Sequence, residues 1–227
     1  KNQADIIKVS TAIIPAISRN YKILNSGAAL GNNCGPLLIA KTNSFVQKSD
    51  TKVGIPGYHT TAFNLFKRYF GSDFIVKPMI FCDIEDAILQ NQIDAGVIIH
   101  ENRFTFREKG LHEICDLGEK WHSETSLPIP LGCIAVSKKI DSQLAHEIDV
   151  AFHESVNYAL NHPNEVMKFV REYSQTMRDE VAQKHIDLYV NSETVLLSDI
   201  GKQAIINFID KTNCENNCTF DKQNLFV

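Results

Sequence analysis

Asp94-Ala-Gly-Val-Ile-Ile-His100-Glu101 decides the reading of the fold. Residues 95–99 are small or β-branched and apolar, with no polar alternation. That pattern suits a strand buried on both faces of a parallel sheet. At its carboxyl end the polarity switches at once to His100 and Glu101. Ligands of open α/β sheets bind outside the carboxyl ends of strands, and a histidine there is a candidate base near neutral pH. On position alone, a polar strand end that merely caps a loop explains the same residues.

Upstream, Lys52-Val-Gly-Ile-Pro56 reads as a strand and Gly57-Tyr-His-Thr-Thr61 as a turn. Residues 62–70 follow as an amphipathic helix with Phe63, Leu65, Phe66, Tyr69 and Phe70 at its apolar positions. Residues 75–81 form another strand. Asp83 is expected to cap a helix whose apolar face is Ile84, Ala87, Ile88 and Ile93. With the His100 strand these segments make a βαβαβ half-sheet.

Earlier in the chain, residues 5–10 read as a strand and residues 11–18 as a short helical turn with Pro15. Residues 26–36 read as a Gly-rich loop, Leu37-Leu-Ile-Ala40 as a buried strand, and residues 42–51 as a polar connection. After the His100 strand a loop runs to Ser126, and Pro128–Val136 is a returning strand. Residues 142–211 read as helices over 142–161, 164–173, 179–189 and 198–211.

Alternation of strands and helices is the α/β signature. An excursion into a second βαβαβ unit, with a return and a helical cap, predicts a two-lobed, type II periplasmic-binding-protein-like fold with a cleft between lobes. The expected first lobe is 1–45 plus 130–227 and the second is 46–129. Hinges are expected near 42–51 and 126–131, and 213–227 is expected to be a flexible tail.

With 227 residues, 44% hydrophobic and 22% charged, the chain can bury a substantial core as a soluble globular protein. A net charge of −4 and the lack of a basic stripe argue against nucleic acid as a partner. No apolar run is long enough to cross a bilayer, so no membrane partner is expected, and the first residues do not resemble a signal peptide. Of six cysteines, Cys34, Cys82, Cys115 and Cys133 are scattered as reduced thiols usually are. Cys214 and Cys218 sit in a polar tail without the second Cys or His pair of a zinc site. The expected compartment is reducing and cytoplasmic, and no metal is expected. The sequence leaves the oligomeric state open.

Other chemistry-bearing groups are weaker. The turn before the residue 62–70 helix offers backbone N–H groups and the Thr60 and Thr61 hydroxyls to a carboxylate or phosphate, although N-capping by Thr60 needs no ligand. Lys8-Val9-Ser10 is expected at the mouth of the first lobe. The loop 26–36 has glycines that would admit a ligand close to the backbone but lacks dinucleotide-binding spacing. His146 and His153 share a helix face without a third ligand, and no Gly-x-Ser-x-Gly elbow supports a hydrolase.

The run Asp94-Ala-Gly-Val-Ile-Ile-His-Glu-Asn-Arg-Phe-Thr-Phe-Arg-Glu-Lys-Gly-Leu111 resembles the 1,4-dihydroxy-6-naphthoate synthases of the futalosine route to menaquinone. So do Asp116-Leu-Gly-Glu-Lys-Trp121 with Thr125, and Leu127-Pro-Ile-Pro-Leu-Gly132. Ile7-Lys-Val-Ser10, Ser26-Gly-Ala-Ala-Leu-Gly31 with Gly35-Pro36, Ile55-Pro-Gly-x-x-Thr-Thr-Ala62 and His185-Ile-x-Leu-Tyr-Val-Asn191 add to the match.

The resemblance implies a carbon–carbon lyase that converts cyclic dehypoxanthine futalosine to 1,4-dihydroxy-6-naphthoate and dihydroxyacetone without a cofactor. It implies His100 as general base, with Lys8, Val9, Ser10, Thr60 and Thr61 binding the substrate. Two other readings share the fold: a chorismate dehydratase-like sister enzyme, and a non-catalytic protein that binds small carboxylates. The family's first strand and loop, with a polar segment of the site, have no counterpart here. The expectation is a fragment, processed product or short form with an open sheet edge, an incomplete pocket and poor activity or stability.

Overall fold

The computed structural model describes all residues except 1–3, 44, 46–47, 174–177 and 213–220, and the side chain of Gln223. Cys214 and Cys218 lie outside the described residues. In chain order the elements begin with β1 (Ile6–Ser10), α1 (Ile14–Ile17), β2 (Tyr21–Ile23), β3 (Ala29–Gly31) and β4 (Leu37–Ala40). Next come β5 (Lys52–Ile55), α2 (Thr61–Phe70), β6 (Ile75–Pro78), α3 (Ile84–Leu89), β7 (Ala95–Ile98), β8 (His112–Asp116), α4 (Leu117–Thr125) and β9 (Ile129–Ser137). The helices α5 (Ser142–Asn161), α6 (Pro163–Tyr173), α7 (Asp179–Tyr189), α8 (Ser192–Val195) and α9 (Asp199–Thr212) follow.

The chain divides into two compact units, Lys1–Leu30 with Pro130–Val227, and Gly31–Ile129. This corrects the expected boundary at residue 45. β4 belongs to the second unit, where it lies antiparallel between β7 and β8. All four of its residues are buried, so both its edges and both its faces need partners, and that sheet supplies the strands. The polar stretch 42–51 therefore joins β4 to β5 within the second unit and is not a crossing; the chain passes between units after Leu30 and after Ile129.

In the first unit β9 is the central strand, antiparallel to β1 on one side and β2 on the other. Ile134 and Val136 pack with Leu24, Ala145 and Phe152. The end of the expected flexible tail is in fact ordered here. Val227 N–H donates to Ile23 O and Ile23 N–H to Leu225 O, and Leu225 is buried. The apolar Leu-Phe-Val terminus gains more from that burial than its backbone loses in freedom.

In the second unit the sheet order is β6-β5-β7-β4-β8. β5 runs parallel to β6 and β7, as the βαβαβ reading requires. β7 is buried at every residue. Its Gly96 pairs with Gly54 of β5, and together they form a bare seat for α3. A Cβ on Gly96 would lie 2.2 Å from Ile84 Cγ2 and 3.3 Å from Ile88 Cδ1. The helix thus packs against backbone. Asp83 does not cap it: its backbone is helical (φ −89°) and its side chain makes no capping bond, because it belongs to a preceding 3₁₀ turn.

Residues 102–126 are more structured than the expected loop. From His100 onward the chain forms two 3₁₀ turns, His100–Phe104 and Phe106–Lys109, then β8 and α4. β8 pairs with β4 through a register shift at Leu38/Ile39, which breaks the alternation that announces a strand. On α2, Arg68 and Tyr69 bond Glu124 of α4. Burial and that carboxylate push the Tyr69 hydroxyl well above the ordinary tyrosine pKa.

Replacing Gly96 by Ala drives a methyl group into the fully buried Ile84. The variant is expected to lose about 1–3 kcal/mol of unfolding free energy, read as a shift in the urea midpoint. An unchanged midpoint would show that α3 does not rest on this strand.

Candidate functional site

Strand polarity gathers one set of chain segments at one edge of the second unit's sheet. β5, β6 and β7 are parallel, so Thr60 and Thr61, Phe81, and His100 all follow carboxyl ends at that edge. β4 is antiparallel to β7, pairing Leu37 with Ile98, and β8 is antiparallel to β4, pairing Asp116 with Leu37. Gly35 and Asp116 therefore reach the same edge.

His100 is the first residue of the 3₁₀ turn and has φ +59°. Histidine tolerates this left-handed backbone better than most residues, at a cost of about 1–3 kcal/mol. Ile99 before it is extended (φ −136°, ψ 178°), so the chain swings sharply where the strand stops. The imidazole packs on the Phe81 ring, centroids 4.7 Å apart and planes tilted by 49°. His100 itself is exposed.

The far end of the turn is clamped. Arg103 Nη2 donates to Asp116 Oδ2 at 2.6 Å, and Nη1 donates to Gly35 O at 2.6 Å. Asp116 Oδ1 accepts from the Gly118 and Glu119 N–H groups (2.8 and 3.1 Å), capping α4. One carboxylate thus starts a helix and holds a guanidinium. Downstream, Phe106 is fully buried, and Lys109 Nζ lies 2.6 Å from the buried Glu85 carboxylate at the start of α3. Desolvation opposes the Lys109 charge, but Glu85 and then Asp86 raise its pKa above the ordinary lysine value.

Thr60 caps α2 as one of its two readings required. Its Oγ1 accepts from Phe63 N–H (3.2 Å) and donates to Gly57 O (2.7 Å). The hydroxyl proton is spent on the turn. Thr61 is buried, at 2% exposure. The two hydroxyls are thus not presented as the expected pair of donors, and the exposed residues of this turn are Tyr58 and His59.

Lys8, Val9 and Ser10 lie on β1 of the first unit, opposite Ile134, Cys133 and Gly132 of β9. Lys8 is exposed, and Ser10 Oγ donates to Leu131 O at 3.3 Å. Burial pushes the Cys133 thiol up to about 12, against the opposing pull of Lys8. It is a packed, unreactive thiol. The glycine loop after β2 is bound inward. Ser26 N–H donates to Asp149 Oδ1 and Gly27 N–H to Thr194 O, and a Cβ on Gly27 (φ +82°) would strike Ile134 at 2.8 Å. Gly27 serves a turn against the core and not close approach to a ligand.

A concavity of about 490 Å³ lies at the opposite edge of the second unit's sheet, lined by Lys41, Lys52, Asn91 and Asp94 among others. It sits at the amino ends of β5 and β7, the edge that α/β sheets do not use for ligands. Among the described residues no group of three or more His, Cys, Asp or Glu side chains is placed to hold a metal ion. No helix among them is long and apolar enough to cross a membrane.

Arg103, Asp116 and Phe81 had no assigned role in the sequence reading. Asp116-Leu-Gly-Glu119 carries an N-cap pattern that marks α4, but nothing in the sequence pairs Asp116 with Arg103. That contact arises from the order of three strands.

Fold comparison first defines a class. The aliphatic sulphonate binding protein from the periplasm of Escherichia coli superposes with a TM-score of 0.65 at 11% identity, over 97% of this chain and 79% of that one. The architecture is therefore that of the periplasmic binding proteins, an α/β fold of two compact units. A crystal structure of a protein from Archaeoglobus fulgidus is nearer: TM-score 0.88, 28% identity, 94% of this chain and 80% of that one. Within that class the chain belongs to the menaquinone biosynthesis family, whose sequence model matches residues 1–213. A relative from Thermus thermophilus, named 1,4-dihydroxy-6-naphthoate synthase, is 35% identical over 200 residues, covering 88% of this chain and 73% of that protein.

The Arg103–Asp116 pair is little exposed, at 18% and 2% of the two side chains. Asp116→Ala strands the guanidinium and removes the α4 cap, so it is expected to cost about 3–5 kcal/mol of stability. A loss below about 1 kcal/mol in chemical denaturation would place the pair among solvent-screened contacts.

Proposed function

We propose that this member of the menaquinone biosynthesis family has the activity for which its relative is named, 1,4-dihydroxy-6-naphthoate synthesis. It acts as a carbon–carbon lyase on cyclic dehypoxanthine futalosine, with dihydroxyacetone as the second product. The observation that carries the residue assignment is the placement of His100. It sits at the carboxyl end of the central buried strand, on a left-handed backbone, with its ring against Phe81. A backbone of this kind at the end of a buried strand supports the reading of His100 as a placed base.

The chemistry asks for little from the protein beyond a placed base. A proton leaves the sugar-derived ring of the substrate, the electron pair cleaves a carbon–carbon bond, and aromatisation drives the reaction forward. A neutral imidazole is a suitable acceptor at neutral pH. Developing oxyanion charge calls for nearby donors, for which the backbone at the start of α2 is a source. Lys8, Val9, Ser10, Thr60 and Thr61 are proposed as substrate-binding positions. No step in this scheme requires a metal or redox cofactor, and the site is assigned to a small molecule in the cytoplasm.

His100→Ala is expected to lower kcat for naphthoate release by roughly 10²–10⁴-fold, the range of a general base. The circular dichroism spectrum and urea midpoint should remain close to those of the parent. Turnover near the parent rate would end the assignment of His100. Tight substrate binding without turnover in the parent protein would favour a binding module instead.

A further inference from the structure

We infer that Arg103 is the positioning residue for His100, acting through the turn that joins them. This inference rests on the reading of His100 as the base. The two residues occupy the 3₁₀ turn His100–Phe104, three positions apart. That separation is one turn of such a helix, so the tether at Arg103 lies directly beneath the catalytic end. The conformation it must protect is an unusual one: φ +59° at His100 relaxes readily to extended backbone unless the neighbouring chain forbids it.

The tether is suited to that task. Its two terminal nitrogens bond two acceptors on different segments, the Asp116 carboxylate at the end of β8 and the Gly35 carbonyl before β4. Two divergent bonds fix the plane of the guanidinium as well as its place. Both acceptors are themselves immobile: Asp116 is capping α4, and Gly35 leads into a buried strand. With Phe106 anchored in the core beyond it, the turn has little freedom except at its first residue. There Phe81 meets the imidazole ring.

A direct role for Arg103 on the substrate fits the geometry less well. Its side chain is 18% exposed, and both terminal nitrogens are bonded to protein. The positioning role predicts that its effect passes entirely through His100.

Arg103→Lys keeps a positive charge for Asp116 but is unable to bond both acceptors in one plane. It is expected to lower kcat by roughly 10–100-fold, as small misplacements of a catalytic group do, while KM changes by less than about threefold. The decisive step is a cycle with His100→Gly, assayed with added imidazole as the mobile base. In that background Arg103→Lys should have no further effect. If the same loss recurs beside the imidazole-rescued variant, Arg103 acts elsewhere and the inference fails.

A crystal structure of Arg103→Lys supplies an independent reading, whether or not imidazole rescues. Residue 100 is expected to leave its left-handed backbone or its contact with Phe81. Retention of both would overturn the inference. If His100→Gly alone turns over at the parent rate, the base assignment itself falls, and that outcome is distinct from a failure of the tether.

Discussion

The bond between Arg103 and Asp116 is the constraint on which the second unit's functional edge depends. It is a charge-assisted contact with little exposure, and its strength comes from the low dielectric around it and from the second bond to Gly35 O. Removing either partner leaves a charge where water reaches poorly. Asp116 also starts α4, so strand end, turn and helix share one carboxylate. The three segments therefore keep their relation to one another, and the histidine turn inherits a rigid floor.

Beneath that edge the central strand does the other part of the work. β7 is buried throughout, and each of its larger side chains contributes about 1.5–3 kcal/mol relative to exposure. Its glycine, paired with Gly54, lets α3 settle directly on the sheet. α3 in turn carries Glu85, which holds Lys109 at the end of the next 3₁₀ turn. Burial of the strand and placement of the loop are thus linked: the apolar run that ends in His100 also seats the helix that braces the far side of the His100 segment.

Much of this was legible in the sequence where a local period governs. Residues 95–99 read as a buried strand, residues 142–161 and 179–189 as helices, and Thr60 as a cap, because each of these depends on neighbours a few positions away. The segment 102–126 was not. β8 is irregular in register, and the turns around Arg103 have no period to reveal them. β4 was assigned to the other unit because an apolar tetrapeptide names no partners; its place follows from β7 and β8 on either side. The apolar 225–227 terminus looked like part of a polar tail, and only its contact with β2 explains its order. At the site, His100 stood out through a change of polarity at a strand end, whereas Arg103, Asp116 and Phe81 become neighbours only through topology.

The central claim is that His100 takes the proton in the rate-determining chemistry. The most direct measurement is its own titration, followed by NMR of the labelled imidazole, set beside the acid limb of kcat/KM. A base must be neutral to act, so activity should fall as pH drops through the pKa of that group. The account predicts that the two midpoints agree and that the limb disappears when His100 is replaced. An acid limb that persists in the His100 variant, or that lies about a unit or more from the imidazole titration, would contradict it.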